Sequence, residues 1–494
     1  MSVLRFTGNR AETRDVTSQR CGKGVDMALM PPTDSMFLLA EGPDQPMHVA
    51  SLILMDPPAD AGPDFAAQLV QTARRRDVPV IPTFRKHPAS PFPFAPRALA
   101  ETNLGSSVKW AEDKTADLDY HVRHSALPHP GRIRELLDLT SRLHSQMLDR
   151  RRPLWESYII EGLEDGRVAW FNKVHHSMMD GVTALRALQR AFGVDPDERD
   201  SLAAWHAPRR RGAANPATGA GAAALQAMGA LRGLVGDIAG MGPALLGLGV
   251  DLVRDRDLNP LVAPRTVLNG TISGQRRIAA QSWSTERIKV VAKANGATIN
   301  DVVCAMVSGA FRAYLLELDA LPDDPMTAMV PVSLSLRDDP ESHKEGGNSV
   351  GAIIVNLATH LSDPKDRLAT ISESATSAKN AMSGLSPMQA LAVSAVRLAP
   401  FAMTLVPGYV QAANPAFNIV ISNVPGPRED VYFNGARLDG VYPLSIVLDG
   451  QAVNVTLISR AGFLDIGIVG CATTLPHLQR LLTHLEEALV ELER

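Results

Sequence analysis

The stretch His175-His176-Ser177-Met178-Met179-Asp180-Gly181 lies between two different periodicities. Before it, residues 168–174 (VAWFNKV) read as a strand. After it, residues 181–192 read as a helix with Leu185, Leu188 and Phe192 on one face. The two histidines are therefore predicted at a strand-to-helix junction, where a rigid scaffold presents reactive groups. An imidazole titrates at about 6.5, so at neutral pH it can take a proton from a hydroxyl. Asp180, four residues beyond His176, is placed to brace the loop through backbone groups or a distant arginine, and Gly181 permits a close backbone approach. Whether Asp180 shares the proton or only holds the loop stays open. The plain alternative for either ring is a satisfied structural histidine. A metal reading is weaker: there is no HExxH and no second His/Asp/Glu cluster, so no metal is expected.

Three zones extend around this stretch. The first, 27–205, mixes strand and helix patterns. Residues 49–55 (VASLILM) form an apolar run suited to a buried strand, and 133–148 show helical spacing. The second, 206–275, is rich in Ala, Gly and Leu up to Val250 and reads as a linker with helical pieces. It either packs on its own protein or rests on a membrane or lipid droplet. The third, 276–494, returns to strands (326–334, 350–357, 417–422, 452–458) and helices (285–293, 300–316, 364–382, 475–492). Asn300 is the expected N-cap of the second of these helices. The pattern predicts an α/β (α+β) protein of two lobes joined by the linker.

Composition narrows the class. The 494 residues carry a formal net charge of −4, without a basic tract that reads as a nucleic-acid surface. Arg150-Arg151-Arg152 and Arg209-Arg210-Arg211 are short runs read as solvated loop edges. Cys21, Cys304 and Cys471 form no CxxC pair, which suits a reducing cytoplasm, and Cys304 reads as a buried thiol in an apolar helix. Residues 1–26 are polar, unlike a signal peptide, and read as a disordered leader or an over-long start. No stretch is expected to span a membrane, because the longest uncharged ones are broken by Pro, Gly and Asn.

Further motifs follow in order. They are Pro32-Thr33-Asp34-Ser35-Met36-Phe37-Leu38 with Pro46-Met47-His48-Val49, then Pro153-Leu154-Trp155-Glu156 and Asn300-Asp301. Later come Pro331-Val332-Ser333-Leu334-Ser335-Leu336-Arg337, Gly347-Asn348 and Ser422-Asn423-Val424-Pro425-Gly426-Pro427. Each has an ordinary reading: core packing for Pro153-Leu154-Trp155, a helix cap for Asn300-Asp301, turn chemistry for the last. As a set, with the HHxxxDG run, they resemble the bacterial wax ester synthase/acyl-CoA:diacylglycerol acyltransferases of the CoA-dependent acyltransferase superfamily. The Pro331–Arg337 match carries an irregular register.

The resemblance implies two chloramphenicol acetyltransferase-like lobes with a central channel. It implies His176 as the base, supported by His175, Asp180 and Gly181, and an acyl group passed directly from acyl-CoA to diacylglycerol or a long-chain alcohol. By the same resemblance Ser422, Asn423, Asn300 and Asp301 supply oxyanion or substrate contacts, Pro153, Leu154 and Trp155 shape the site, and Arg337 pairs with Asp180. Acyl-CoA is a substrate, and no separate cofactor is implied. Two alternatives remain: a condensation-type or polyketide-associated acyltransferase, and a catalytically weak lipid-binding relative.

Overall fold

The computed structural model describes residues 28–30, 32–89, 109–179, 187–208, 263–333, 350–382, 385, 389, 392–394, 396, 404 and 409–494. Asp180, Gly181, Arg337, Gly347, Asn348, Cys21 and most of the 206–275 linker lie outside the described residues.

A small sheet in the order β1-β4-β3 comprises β1 (Ala28–Leu29), β3 (Lys86–Pro88) and β4 (Lys109–Glu112). The first large sheet draws on β2 (His48–Asp56), β5 (Val122–Ala126), β6 (Trp155–Glu161), β7 (Val168–His175), β12 (Tyr432–Phe433) and β13 (Ala436–Leu444). Its order is β12-β13-β2-β7-β6-β5. The second draws on β8 (Arg276–Ser284), β9 (Thr327–Ser333), β10 (Val350–Asn356), β11 (Ile419–Pro425), β14 (Val453–Arg460) and β15 (Phe463–Cys471), in the order β10-β9-β11-β14-β15-β8. The helices are α1 (Pro32–Ala40), α2 (Phe65–Ala73), α3 (Leu118–His121), α4 (Ile133–Ser145), α5 (Thr285–Ala294), α6 (Ile299–Glu317), α7 (Pro364–Met382), α8 (Tyr409–Ala412) and α9 (Arg480–Glu493).

The continuous apolar run of β2 follows from its position inside the first sheet. Leu52 and Leu54 face a core shared with α4 and the second lobe, while Ile53 and Met55 face a second core under α2. Helix α4 buries Leu136, Leu137 and Leu143. Its Ser141 and Ser145 hydroxyls accept the Ile278 and Arg276 amides of β8 at 3.0 and 2.9 Å, which stitches the two lobes together. The chain also crosses back late: β13 pairs antiparallel with β2 from Leu444 opposite Ala50 to Arg437 opposite Asp56. On its other side β13 abuts β15 so closely that a Cβ at Gly467 would stand 2.1 Å from the Pro443 carbonyl oxygen.

Helix α6 has the length and apolar content of a membrane-crossing helix, but its apolar surface is packed inside the protein. It is the core helix of the second lobe, buried from Asp301 to Phe311, and Gly309 lets α9 approach through Ala488. Its cap differs from expectation. Thr298, not Asn300, is the N-cap: its hydroxyl accepts the Asp301 amide at 3.2 Å, and the Asp301 carboxylate accepts the Thr298 amide at 2.9 Å. The cap lies two residues before the expected one because this reciprocal pair closes the helix end. Cys304 is buried in α6, and burial pushes its thiol up to about 12.

Candidate active site

Strands β2 and β7 place the two histidines. In their register His48 stands opposite His175, the last residue of β7. Beyond it the chain is held by two backbone bonds: the His176 amide donates to the Met47 carbonyl at 2.8 Å, and the Met178 amide to that of His175 at 3.0 Å. The His175 amide donates to the Leu154 carbonyl at 2.9 Å. The Pro46-Met47-His48 and Pro153-Leu154-Trp155 motifs thus buttress the His-His pair through the backbone.

His175 is fully buried. Its Nδ1 accepts the Ser177 amide at 3.1 Å and lies 2.6 Å from the Ser177 hydroxyl. Because a backbone N–H can only donate, the proton of the ring sits on Nε2. Nε2 lies 3.3 Å from Glu41 Oε1. Glu41 follows α1, and its Oε1 also accepts the Met47 amide at 3.1 Å. Its Oε2 takes Nε and Nη2 of Arg150 at 3.0 and 2.8 Å. Burial alone would raise this carboxyl; the neighbouring His175 and Arg150 and the Met47 amide instead hold it at about 2.

His176 is half-buried, and its ring stacks on Phe37 of α1 at 4.2 Å and 26°. It thus differs from its neighbour, which is sealed inside. A polar cluster lies behind the pair. Lys173 Nζ donates to the Leu143 and Gln146 carbonyls, both at 2.9 Å, and lies 3.4 Å from Glu156. Burial pulls its pKa down. His48 Nε2 meets the His144 carbonyl at 2.7 Å. Burial, with Lys173 nearby, holds His48 well below the usual range and His144 at about 3, so both are neutral.

An apolar cleft opens between the lobes beside this loop. Trp155, Val174, Met179 and Trp205 line it from the first lobe, and Val424 and Thr456 from the second. Trp155 is a core residue as well: its indole N–H reaches the Phe84 carbonyl at 2.9 Å, and it stacks between His121 and Trp205.

The last motif departs from its turn reading. Ser422 to Pro425 continue strand β11, paired in parallel with β14, and the chain leaves the strand only at Gly426. Alternation puts Ser422 on the same side as cleft-lining Val424 and Asn423 on the other. There Asn423 Nδ2 meets Asn300 Oδ1 at 3.4 Å, so the Asn300-Asp301 and Ser422-to-Pro427 motifs touch across 123 residues. Asp301 is committed to capping, with Ser372 donating to it at 3.2 Å. The His175-His176 junction adjoins the apolar inter-lobe cleft, whereas the Asn300–Asn423 contact lies on the opposite face of β11 from cleft-lining Val424.

Two family descriptions match the chain: the wax ester synthase/diacylglycerol acyltransferase catalytic domain over residues 30–303, and the WS/DGAT C-terminal domain over 346–493. The chain belongs to the wax ester synthase/diacylglycerol acyltransferase family. It is 48% identical over 472 residues to a probable diacylglycerol O-acyltransferase, tgs2, of Mycobacterium tuberculosis, covering 95% of this chain and 99% of that one. The solved wax ester synthase/diacylglycerol acyltransferase of Marinobacter aquaeolei superposes with a TM-score of 0.72 at 36% identity, over 94% of this chain and 99% of the other. The first condensation domain of the calcium-dependent antibiotic synthetase shares the fold, with a TM-score of 0.55 at 18% identity and coverage of 95% and 96%.

In this family member Glu41 and Phe37 stand against His175 and His176, with Arg150 behind Glu41, and the sequence reading singles out none of the three for this. Phe37 lay inside a quoted motif, but nothing marked its ring as a shelf for His176. Arg150 was read as a solvated loop edge. Its side chain is 15% exposed and paired with Glu41, whereas Arg151 beside it is 86% exposed. Only the fold distinguishes neighbours in such a run.

Proposed function

We propose that this acyltransferase moves a long-chain acyl group from acyl-CoA to the hydroxyl of diacylglycerol, making triacylglycerol, and that long-chain alcohols serve as further acceptors, giving wax esters. The observation that carries the reading is His176, partly buried and stacked on Phe37 beside an apolar inter-lobe cleft. His176 takes the acceptor's hydroxyl proton as the oxygen attacks the thioester carbonyl. The tetrahedral intermediate collapses with cleavage of the C–S bond, and the leaving thiolate receives the proton from the imidazolium. No acyl-enzyme forms. The Ser422 side of β11, or a nearby backbone amide, is proposed to meet the oxyanion. Asp180 is assigned to holding the loop and Arg337 to pairing with it. The linker zone 213–250 is proposed to rest on the surface of a membrane or lipid droplet from the cytoplasmic side.

Purified protein with labelled palmitoyl-CoA and diacylglycerol tests the reading. His176→Ala should lose about 10²–10⁴-fold in turnover. Product formed by the alanine variant at the wild-type rate would exclude His176 as the base. If the wild type makes no ester with any alcohol, the lipid-binding alternative replaces catalysis. Flotation with lipid droplets, with and without residues 213–250, tests the surface contact.

A further inference from the structure

A second cleft lies on the first lobe, lined by basic side chains whose guanidinium groups are already paired with carboxylates outside the lining. Arg75, Arg76, Arg85 and Lys114 face it with a single acid, Asp117. Asp117 is already engaged: it caps α3 by accepting the Tyr120 amide at 3.2 Å and pairs with Arg152 at 3.2 Å. The other acids that balance these cations stand outside the lining. Arg75 is paired with Asp77 and Asp200, Arg76 with Asp119, and Arg85 with Glu112. Lys114 has no ion-pair partner among the described residues. The Nε of Arg85 is buried without an acceptor there. Three guanidinium groups and an ammonium around one concavity suit phosphate oxygens, which accept several charge-assisted bonds at once.

The position of this cleft is as informative as its charge. Arg74 donates to the Val122 carbonyl, with Nε at 2.8 Å, which pins the 74–76 turn at the start of β5. Val122 opens β5, Trp155 opens β6, His175 ends β7 and His48 opens β2, so all four lie at one end of the sheet. With neighbouring strands about 4.8 Å apart, β7 is about 10 Å from β5 and β2 about 14 Å. Phe84 lines the apolar cleft beside Val174, while the next residue, Arg85, lines the cationic one. Val80 and Leu118 of the cationic cleft pack in the same core as Phe84, Trp155 and Met179.

We infer that this cationic cleft receives the phosphate-bearing nucleotide end of acyl-CoA, with the pantetheine arm passing Phe84 into the apolar cleft toward His176. The inference rests on the proposed use of acyl-CoA and adds where its charged end binds. Arg76 is 75% exposed on its side chain, and Lys114 is exposed, so reversing both charges leaves the core untouched.

The test compares two donors, palmitoyl-CoA and the palmitoyl thioester of N-acetylcysteamine, which has the same reacting bond without a nucleotide. In Arg76→Glu/Lys114→Glu the KM for palmitoyl-CoA should rise at least five-fold relative to that for the small thioester, with kcat little changed. Calorimetry should show adenosine 3′,5′-bisphosphate binding weakened by a similar factor, and wild-type binding should weaken with added salt. Equal KM changes for both donors, or none for palmitoyl-CoA, would overturn the assignment. So would a variant that keeps bisphosphate binding but no longer binds phosphatidylglycerol vesicles, which would make the cleft a headgroup site. Wild type that uses neither donor yet binds the bisphosphate would defeat the proposed reaction and leave the cleft assignment standing.

Discussion

Glu41 and His175 meet 3.3 Å apart in the interior, one from the end of α1 and the other from the end of β7. The same Glu41 oxygen holds the Met47 amide, and the Met47 carbonyl holds the amide of His176. Glu41 is therefore placed to hold the proposed base from two sides. In Glu41→Gln, Arg150 loses its buried counter-charge, and the fold should weaken by about 3–5 kcal/mol. A shift of the His176 loop by a fraction of an ångström should lower kcat by up to about 10²-fold with little change in KM. Urea unfolding and steady-state kinetics measure the two effects separately. An unchanged kcat in folded protein would show that the pair is structural only.

Thr298 and Asn300 should separate cleanly. Thr298→Ala removes the cap of α6 and should destabilise by about 1 kcal/mol without altering substrate constants. Asn300→Ala leaves the cap intact and removes the contact with Asn423 at 3.4 Å. It should lower activity while the thermal midpoint stays near that of wild type. The opposite pattern would return Asn300 to a capping role.

Gly426 should resist substitution. A Cβ there would stand 2.4 Å from the Ser459 carbonyl oxygen and 2.8 Å from the Ile458 side chain. Gly426→Ala should cost about 1–3 kcal/mol through overpacking at the end of β11. Equilibrium unfolding checks this, and a neutral result would mean that β11 and β14 can part there without cost.

Acid should weaken the fold from the histidine range downward. His48 and His144 are held neutral by burial, His144 down to about 3. An unfolded histidine titrates at about 6.5. Between these values the unfolded chain binds more protons, so stability rises with pH across the window and is lost as pH falls below about 6.5. Each group contributes a slope of up to about 1.4 kcal/mol per pH unit. Stability measured between pH 6.5 and 5, above the range where Glu41 protonates, should show this slope, and His144→Gln should reduce it while His48 keeps the rest. A profile with no slope in that interval would mean that the rings accept protons in place.

Much of the site was legible because its signals are local. The strand before His175, the apolar run of β2 and the helix over Pro364–Met382 each carry their period within a few turns of chain. Strands β6, β8, β13 and β15 went unread for physical reasons. Pro443 and Gly440 interrupt β13, and Gly467 and Gly470 interrupt β15, residues that ordinarily argue against a strand. Here the glycines admit neighbours: Pro443 packs against Gly467, and Leu475 and Leu478 against Gly470. That the chain returns through β13 to complete the first sheet is a property of pairing at long range, which no local pattern encodes.

By itself the sequence determined which residue types stand at the junction after β7, the two-lobed class and the family resemblance, because these depend on order and spacing along the chain. The tertiary structure alone decided which histidine is sealed and which is only partly buried, that Glu41 and Arg150 stand behind them, and that Asn300 meets Asn423. Those relations join residues from 109 to 134 positions apart. Burial separates a buried Arg150 from an exposed Arg151, and burial exists only once the sheets have closed on each other.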